Sequence, residues 1–432
     1  MRVPAVHDAT EAAAGSAASV GVVYAAPSRA ARALGLAAVV LVGVNLRPAI
    51  TSVAALLDEV STQFALDPLA ASVLVTLPVI ALGATAPLGP WLARRWGVSW
   101  ALAATMAALA AALSLRVIGA ASLLVGTVVA GAAIMAASTL VPQYLKSLGA
   151  SGLWVGISTM SFGAGAAAGA GLTAPLYAWF GDDARLALGA WAALAAAAAL
   201  AMAAAARGSG GRGAGGSGPG GPGAAAGGSS ERPRLAVPRG AGRTIALVTT
   251  VFALQALLYF AVTAWLPRLV IDRGESTATA GSLLAWFSIV GLLPTLVTPI
   301  LARRPRVLAW FGPAIGIVVA AGYAWLLVAD PSQYVDVVGL LGVFQSAAFA
   351  LGISLIVSLS ANPASAGVVS AVAQGVGFAV AGVGSLLIGL LHDVSGGWTV
   401  SFTVMAGIAL ALSVAVWAVA RRPPVDLVAS ER

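Results

Sequence analysis

Arg47 is the residue most able to do chemistry in this chain. It stands in Asn45-Leu-Arg-Pro-Ala-Ile-Thr-Ser-Val53, inside an apolar run over 34–57. At about 1.5 Å per helical residue it lies roughly 20 Å into that run. A guanidinium stays protonated, and holding it in hydrocarbon costs on the order of 3 kcal/mol or more. It is therefore expected to face a wet cavity or bind an anion. The plainer alternative is that it bonds carbonyls opened by Pro48 and braces the helix, and the two roles are compatible. Gly43, Arg47, Thr51 and Ala54 recur at spacings of four, four and three, which gives one small, polar helix face. Asn45 points elsewhere on an ideal helix, but the Pro48 kink blurs that, so Asn45 joins Arg47 and Thr51 as a candidate substrate contact.

Three glutamines are each followed by an aromatic residue at i+4: Gln255/Tyr259, Gln345/Phe349 and Gln374/Phe378. Each pair shares a helix face and offers an amide beside a ring. These six complete the candidate substrate contacts, with helix–helix bonding and packing as the competing reading. The absences are equally informative. There is no cysteine, and the two histidines are His7, near the N-terminus, and His392, at a helix end. No Asp, Glu or His lies in the interior of an expected span, and Arg47 is the only charge there. Thiolate catalysis, a metal site, a bound cofactor and a carboxylate proton relay are all unexpected. A membrane enzyme is disfavoured on the same grounds.

Composition names the scaffold that must hold these groups. The chain has 432 residues, 60% hydrophobic and 9% charged, where a soluble domain carries about 25% charged residues. Its natural solvent is the lipid bilayer. The net charge of +8 does not point to nucleic acid, because the basic residues sit in short tracts between apolar runs. Spans are expected at 34–57, 69–92, 98–117, 121–145, 152–180 and 186–206. Six more are expected at 244–267, 277–301, 307–329, 336–360, 364–391 and 397–420. The fold class is an all-α membrane protein, with twelve transmembrane helices in two six-helix pseudo-symmetric bundles, 34–206 and 244–420. Residues 1–33 read as a disordered cytoplasmic tail without the basic start of a secretory signal. Residues 207–243 are rich in Gly, Ser and Pro and read as a flexible cytoplasmic linker. Residues 421–432 read as a cytoplasmic tail.

Charge counting orients the bundle. With the N-terminus inside, eighteen of the 23 basic residues fall inside and four outside, namely Arg116, Arg185, Arg268 and Arg273; Arg47 is the remaining one. Ten acids fall outside. The positive-inside rule then puts both termini in the cytoplasm. An internal repeat agrees with two halves: Pro90-Trp-Leu-Ala-Arg-Arg95 ends the second span and Pro299-Ile-Leu-Ala-Arg-Arg304 ends the eighth. Parallel repeats place a substrate site at their interface.

These features resemble the major facilitator superfamily. Its loop signature, roughly Gly-x-Leu-Ala-Asp-Arg-x-Gly, has its counterpart in Pro90-Trp-Leu-Ala-Arg-Arg-Trp-Gly97, which lacks the carboxylate because Arg94 stands there. The resemblance implies gating loops at the cytoplasmic face that involve Arg94, Arg95, Gly97, Arg303 and Arg304. Within the superfamily the chain is similar to the cyanate/2-nitroimidazole transporter branch. That likeness rests on Asn45–Val53, on Leu254–Phe260 with Ala264-Trp-Leu-Pro267, and on Ala373–Phe378. It implies a secondary transporter of the bacterial inner membrane. The expected substrate is a small anion of cyanate type, moved by alternating access, or alternatively a neutral flat nitro-aromatic compound for efflux. A monomer is expected.

Overall fold

Residues 29–208 and 241–427 are described by a computed structural model, and they fold almost wholly into helices. The first half holds α1 (Arg29–Asn45), α2 (Pro48–Ala55), α3 (Leu57–Gln63), α4 (Pro68–Thr85), α5 (Leu88–Trp96), α6 (Val98–Leu115), α7 (Ala120–Ser147), α8 (Gly152–Trp179) and α9 (Ala184–Gly208). The second holds α10 (Ala241–Asp272), α11 (Thr277–Val290), α12 (Leu292–Ala302), α13 (Pro305–Val328), α14 (Tyr334–Ser358), α15 (Pro363–Ser395) and α16 (Trp398–Val419). Among the described residues, eleven stretches are long and apolar enough to cross a membrane, with α1–α2 and α11–α12 each counting as one. The remaining expected span, 69–92, runs as α4 and α5, broken at Ala86-Pro87.

Several boundaries differ from the sequence expectation. Helix α1 begins at Arg29, α9 continues to Gly208 and α10 begins at Ala241. Helix thus reaches into the expected tail and linker, whose other residues, 1–28 and 209–240, lie outside the described residues. Beyond α16 the chain packs back on the bundle. The Val425 N–H donates to the Leu359 carbonyl, the Leu427 N–H donates to the Ser365 hydroxyl at 2.9 Å, and Val425 and Leu427 are buried.

Local chemistry sets the ends of the helices. Asp67, Ser276 and Asn362 cap α4, α11 and α15 by accepting the N–H of Ala70 (2.6 Å), Thr279 (3.0 Å) and Ser365 (2.8 Å). Gly97 ends α5 at φ +79°, a conformation that glycine reaches without strain. The large apolar side chains left exposed, such as Trp179, Leu200, Val328 and Leu386, are what a lipid-facing surface requires.

One buried core runs through both halves. Close approach between helices relies on small residues, because lipid supplies no hydrophobic drive between them. The halves meet along helices α8 and α12, where Gly152 and Gly156 lie against the carbonyls of Pro299 and Leu296. They meet again along α7 and α15. There the Ser138 hydroxyl donates to Gln374 Oε1, and Gln374 Nε2 donates to the Ser138 carbonyl at 3.1 Å. Arg303 adds a bond from its guanidinium to the Ala150 carbonyl at 3.2 Å. These contacts lie toward one end of the molecule, the end carrying the turns at Gly97, Gly149 and Arg303-Arg304. This is the basic end.

Candidate functional site

The site begins with a broken helix. Pro48 has no N–H, so the α1 ladder loses a bond and the chain turns at Leu46-Arg47 before α2 starts. Helix α8 fills the break: Gly165 fits against the Val44 carbonyl, and Gly169 against Pro48 and Thr51. Arg47 is the N-cap residue of α2, at φ −121° and ψ −36°. Its carbonyl accepts the N–H of Ile50 and of Thr51, both at 3.0 Å. Its side chain is half-buried, and among the described residues no carboxylate or carbonyl pairs with its guanidinium.

The guanidinium opens onto a cavity of about 710 Å³ between the halves. From the first half, α8 contributes Thr159, Phe162, Gly163 and Ala166. From the second half, α10 contributes Gln255, Tyr259 and Phe260, while Phe349 comes from α14 and Phe378 from α15. Among the described residues, Arg47 is the one charged side chain in this lining. A second compartment of about 380 Å³ shares Arg47, Phe162, Phe349 and Phe378, and continues to Leu82, Ile134 and Ser138. The rings form a continuous chain: Phe162 meets Phe349 at 6.2 Å, Phe349 meets Phe252 at 6.3 Å, Phe252 meets Phe378 at 5.7 Å, and Phe378 meets Phe260 at 6.0 Å. Aromatic contact therefore crosses from one half to the other beside the arginine.

Several expected contacts lie elsewhere. Asn45 donates to the Leu41 carbonyl at 2.8 Å and the Leu194 carbonyl at 3.3 Å, which ties α1 to α9 away from the cavity. Thr51 donates to the Arg47 carbonyl at 3.2 Å and faces Gly169 of α8. Gln345 donates to the Tyr323 hydroxyl, whose own proton goes to the Leu258 carbonyl at 3.2 Å, so Gln345 belongs to the core of the second half. Gln374 is committed to Ser138 and to the Ser370 hydroxyl. The i+4 rings Tyr259, Phe349 and Phe378 all line the cavity, but among the three glutamines only Gln255 does. Among the expected gating residues, Arg303 reaches across the halves, Arg95 lies over the Trp91 ring at 5.7 Å, and Arg94 and Arg304 are exposed.

The sequence reading missed a second buried arginine. Arg116, assigned there to an outside segment, is 1% exposed and caps the end of α6. It donates from Nη1 to the Ala49 carbonyl at 2.7 Å, its Nε has no partner, and its stem lies across Gly126 of α7. Ala49 sits two residues after Arg47, so α2 is held by α8 on one side and by Arg116 on another. The lone-charge signal pointed to Arg47 only, because Arg116 stood at the end of its expected span.

This layout, two helical halves around a central cavity, is that of a membrane transporter. The family model described as Major Facilitator Superfamily matches residues 33–341, and the chain belongs to that superfamily. It is 26% identical over 388 residues to the 2-nitroimidazole transporter of Escherichia coli K12, covering 88% of this chain and 93% of that protein. It is 28% identical over 382 residues to the cyanate transport protein CynX of the same organism, covering 86% and 93%. Among solved structures, the transporter FucP in the outward conformation superposes with a TM-score of 0.67 at 13% identity, covering 90% of this chain and 99% of that one. The human organic anion transporter MFSD10 gives the same score at 13% identity, covering 89% and 99%. The chain is thus a multi-pass membrane transporter and not an enzyme.

Proposed function

We propose that the chain is a secondary transporter that carries a small anion across the bacterial inner membrane by alternating access, with Arg47 as the anchor of the anion. One observation carries the reading: Arg47 is the charged side chain of the cavity, and nothing described pairs with it. A half-buried guanidinium without a protein partner is free to take an anion, and its planar fork matches a carboxylate or similar oxyanion. The bracing alternative loses support because no described carbonyl accepts from this guanidinium. Inter-half contacts on the basic side of the cavity suit a rocking exchange between two openings. The positive-inside count supports cytoplasmic termini and a cytoplasmic basic end. On that orientation the cavity here faces outward. The cavity forms within one chain, so the proposed unit is a monomer in the bilayer. The relative named for cyanate supports a small anion.

The second reading is efflux of a neutral flat compound such as a nitro-aromatic. The ring-lined wall favours it, as does the relative named for 2-nitroimidazole. Uptake into proteoliposomes across a panel of small anions separates the two. Arg47→Ala should abolish anion uptake, and Arg47→Lys should lower it about tenfold or more, because lysine lacks the bidentate fork. Wild-type anion uptake by Arg47→Ala would refute the assignment.

A further inference from the structure

Gln255 of α10 is 1% exposed and lines the cavity, yet neither its Nε2 nor its Oε1 has a partner. Buried amides in folded proteins are satisfied almost without exception, and an unmade pair carries the full desolvation penalty of its groups. Gln374 obeys the rule on both of its amide atoms through protein partners, and Gln345 places its Nε2 on Tyr323 and leaves only its Oε1 unmade, so among these three Gln255 alone is unpartnered at both atoms. Of the hydroxyls lining the same cavity, Thr159, Ser288 and Thr295 donate to carbonyls of their own helices, those of Val155, Leu284 and Leu292 at 2.8, 3.1 and 2.6 Å, and no side chain of the lining is bonded to Gln255. The cavity wall therefore holds an uncommitted cation on one half and a buried, unpartnered amide on the other.

Resting on the reading of Arg47 as an anion anchor, we propose that the substrate is a planar ring acid with an N–H and an acceptor side by side on its edge. The acidic group, a carboxylate or its equivalent, takes Arg47. The edge takes Gln255, since a primary amide offers a donor and an acceptor in one plane and its complement has the same two in reverse order. The ring itself takes the aromatic wall of Phe162, Phe260, Phe349 and Phe378. A triatomic anion such as cyanate has no proton to donate, so it leaves Gln255 Oε1 unmade. It also brings no ring to the aromatic side chains that line the cavity.

The test is calorimetric titration of the full-length protein in lipid nanodiscs with four probes. Orotate has the carboxylate and the lactam edge, benzoate only the carboxylate, uracil only the edge, and cyanate neither ring nor edge. Orotate should bind at least about tenfold more tightly than each of the other three, as expected for one added charge-assisted or paired interaction. Gln255→Leu should reduce orotate to the level of benzoate and leave benzoate unchanged. It should also raise the melting temperature of the ligand-free protein, because an unmatched amide is gone. Arg47→Ala should reduce orotate to the level of uracil. If orotate binds no better than benzoate, or Gln255→Leu weakens both alike, the edge is wrong and the Arg47 reading stands. If uracil equals orotate and Arg47→Ala changes neither, the Arg47 reading fails while the edge stands. Tighter binding of cyanate than of orotate, or no binding of any probe at millimolar concentration, overturns the ring-acid proposal.

Discussion

Gly156 sits where a side chain has no room. A Cβ built there collides with the Leu296 carbonyl oxygen and comes within 3.0 Å of the carbonyl carbon, and both are backbone atoms of the other half. Backbone cannot swing aside as a flexible side chain can, so a larger residue is accommodated by parting α8 from α12 at the basic end. Overpacking of this kind costs about 1–3 kcal/mol. At about 2.8 kcal/mol the balance between the two openings moves roughly a hundredfold. Gly156→Leu should thus shift the population toward a state open at the basic end, with the fold of each half intact. Gln374→Leu removes the bonds to Ser138 and should push the same way, by about tenfold. The chain has no cysteine, so a single Ser288→Cys in the cavity reports access cleanly. Its modification by a membrane-impermeant thiol reagent, added from the side opposite the basic end, should slow at least tenfold in the Gly156→Leu background. An unchanged rate, with the variant folded and inserted, would falsify the assignment of α8–α12 as the seam that closes this state.

Two further outcomes follow from the site. Arg116→Met should weaken anion binding several-fold although Arg116 lines no described cavity, because it removes the bond that fixes the first turn of α2 next to Arg47. Combined with Arg47→Ala it should add little, a non-additivity that a general loss of stability would not produce, and titration of the single and double variants checks it. Proton flux should not accompany transport of a permanently charged anion, because no carboxylate or histidine lines the described cavity. Uptake under an imposed pH gradient at clamped potential checks this, with inward movement of one negative charge opposed by about 2.3 kcal/mol per 100 mV.

Much of this architecture is legible in residue order. Span length, the charge tracts between spans and the Pro90/Pro299 repeat point to two halves, and a lone charge next to a proline points to Arg47. What could not be read is which face of a helix meets which neighbour. The i+4 spacing treats Gln255, Gln345 and Gln374 alike. Their fates differ because α10 turns Gln255 to the cavity, α14 turns Gln345 to Tyr323, and α15 turns Gln374 to the opposite half. Asn45 is lost to the site through the packing of α1 on α9. Phe162 carries the aromatic chain across the halves and Phe252 continues it within the second half, yet a phenylalanine in an apolar helix carries no sequence mark of that role. Arg116 was hidden by its position at a span end, where an arginine ordinarily means an aqueous interface.

The docked chain end has a practical side. The segment that pairs Val425 with Leu359, Asn362 with Asp426 and Leu427 with Ser365 clips onto the start of α15, the helix that carries Gln374 to the other half. Anything fused close behind Leu427 is therefore attached to a working lever. A reporter protein or affinity handle joined there without a spacer would load that lever and bias which opening the transporter prefers. The same attachment, made through a rigid linker, offers a place from which that preference can be steered deliberately.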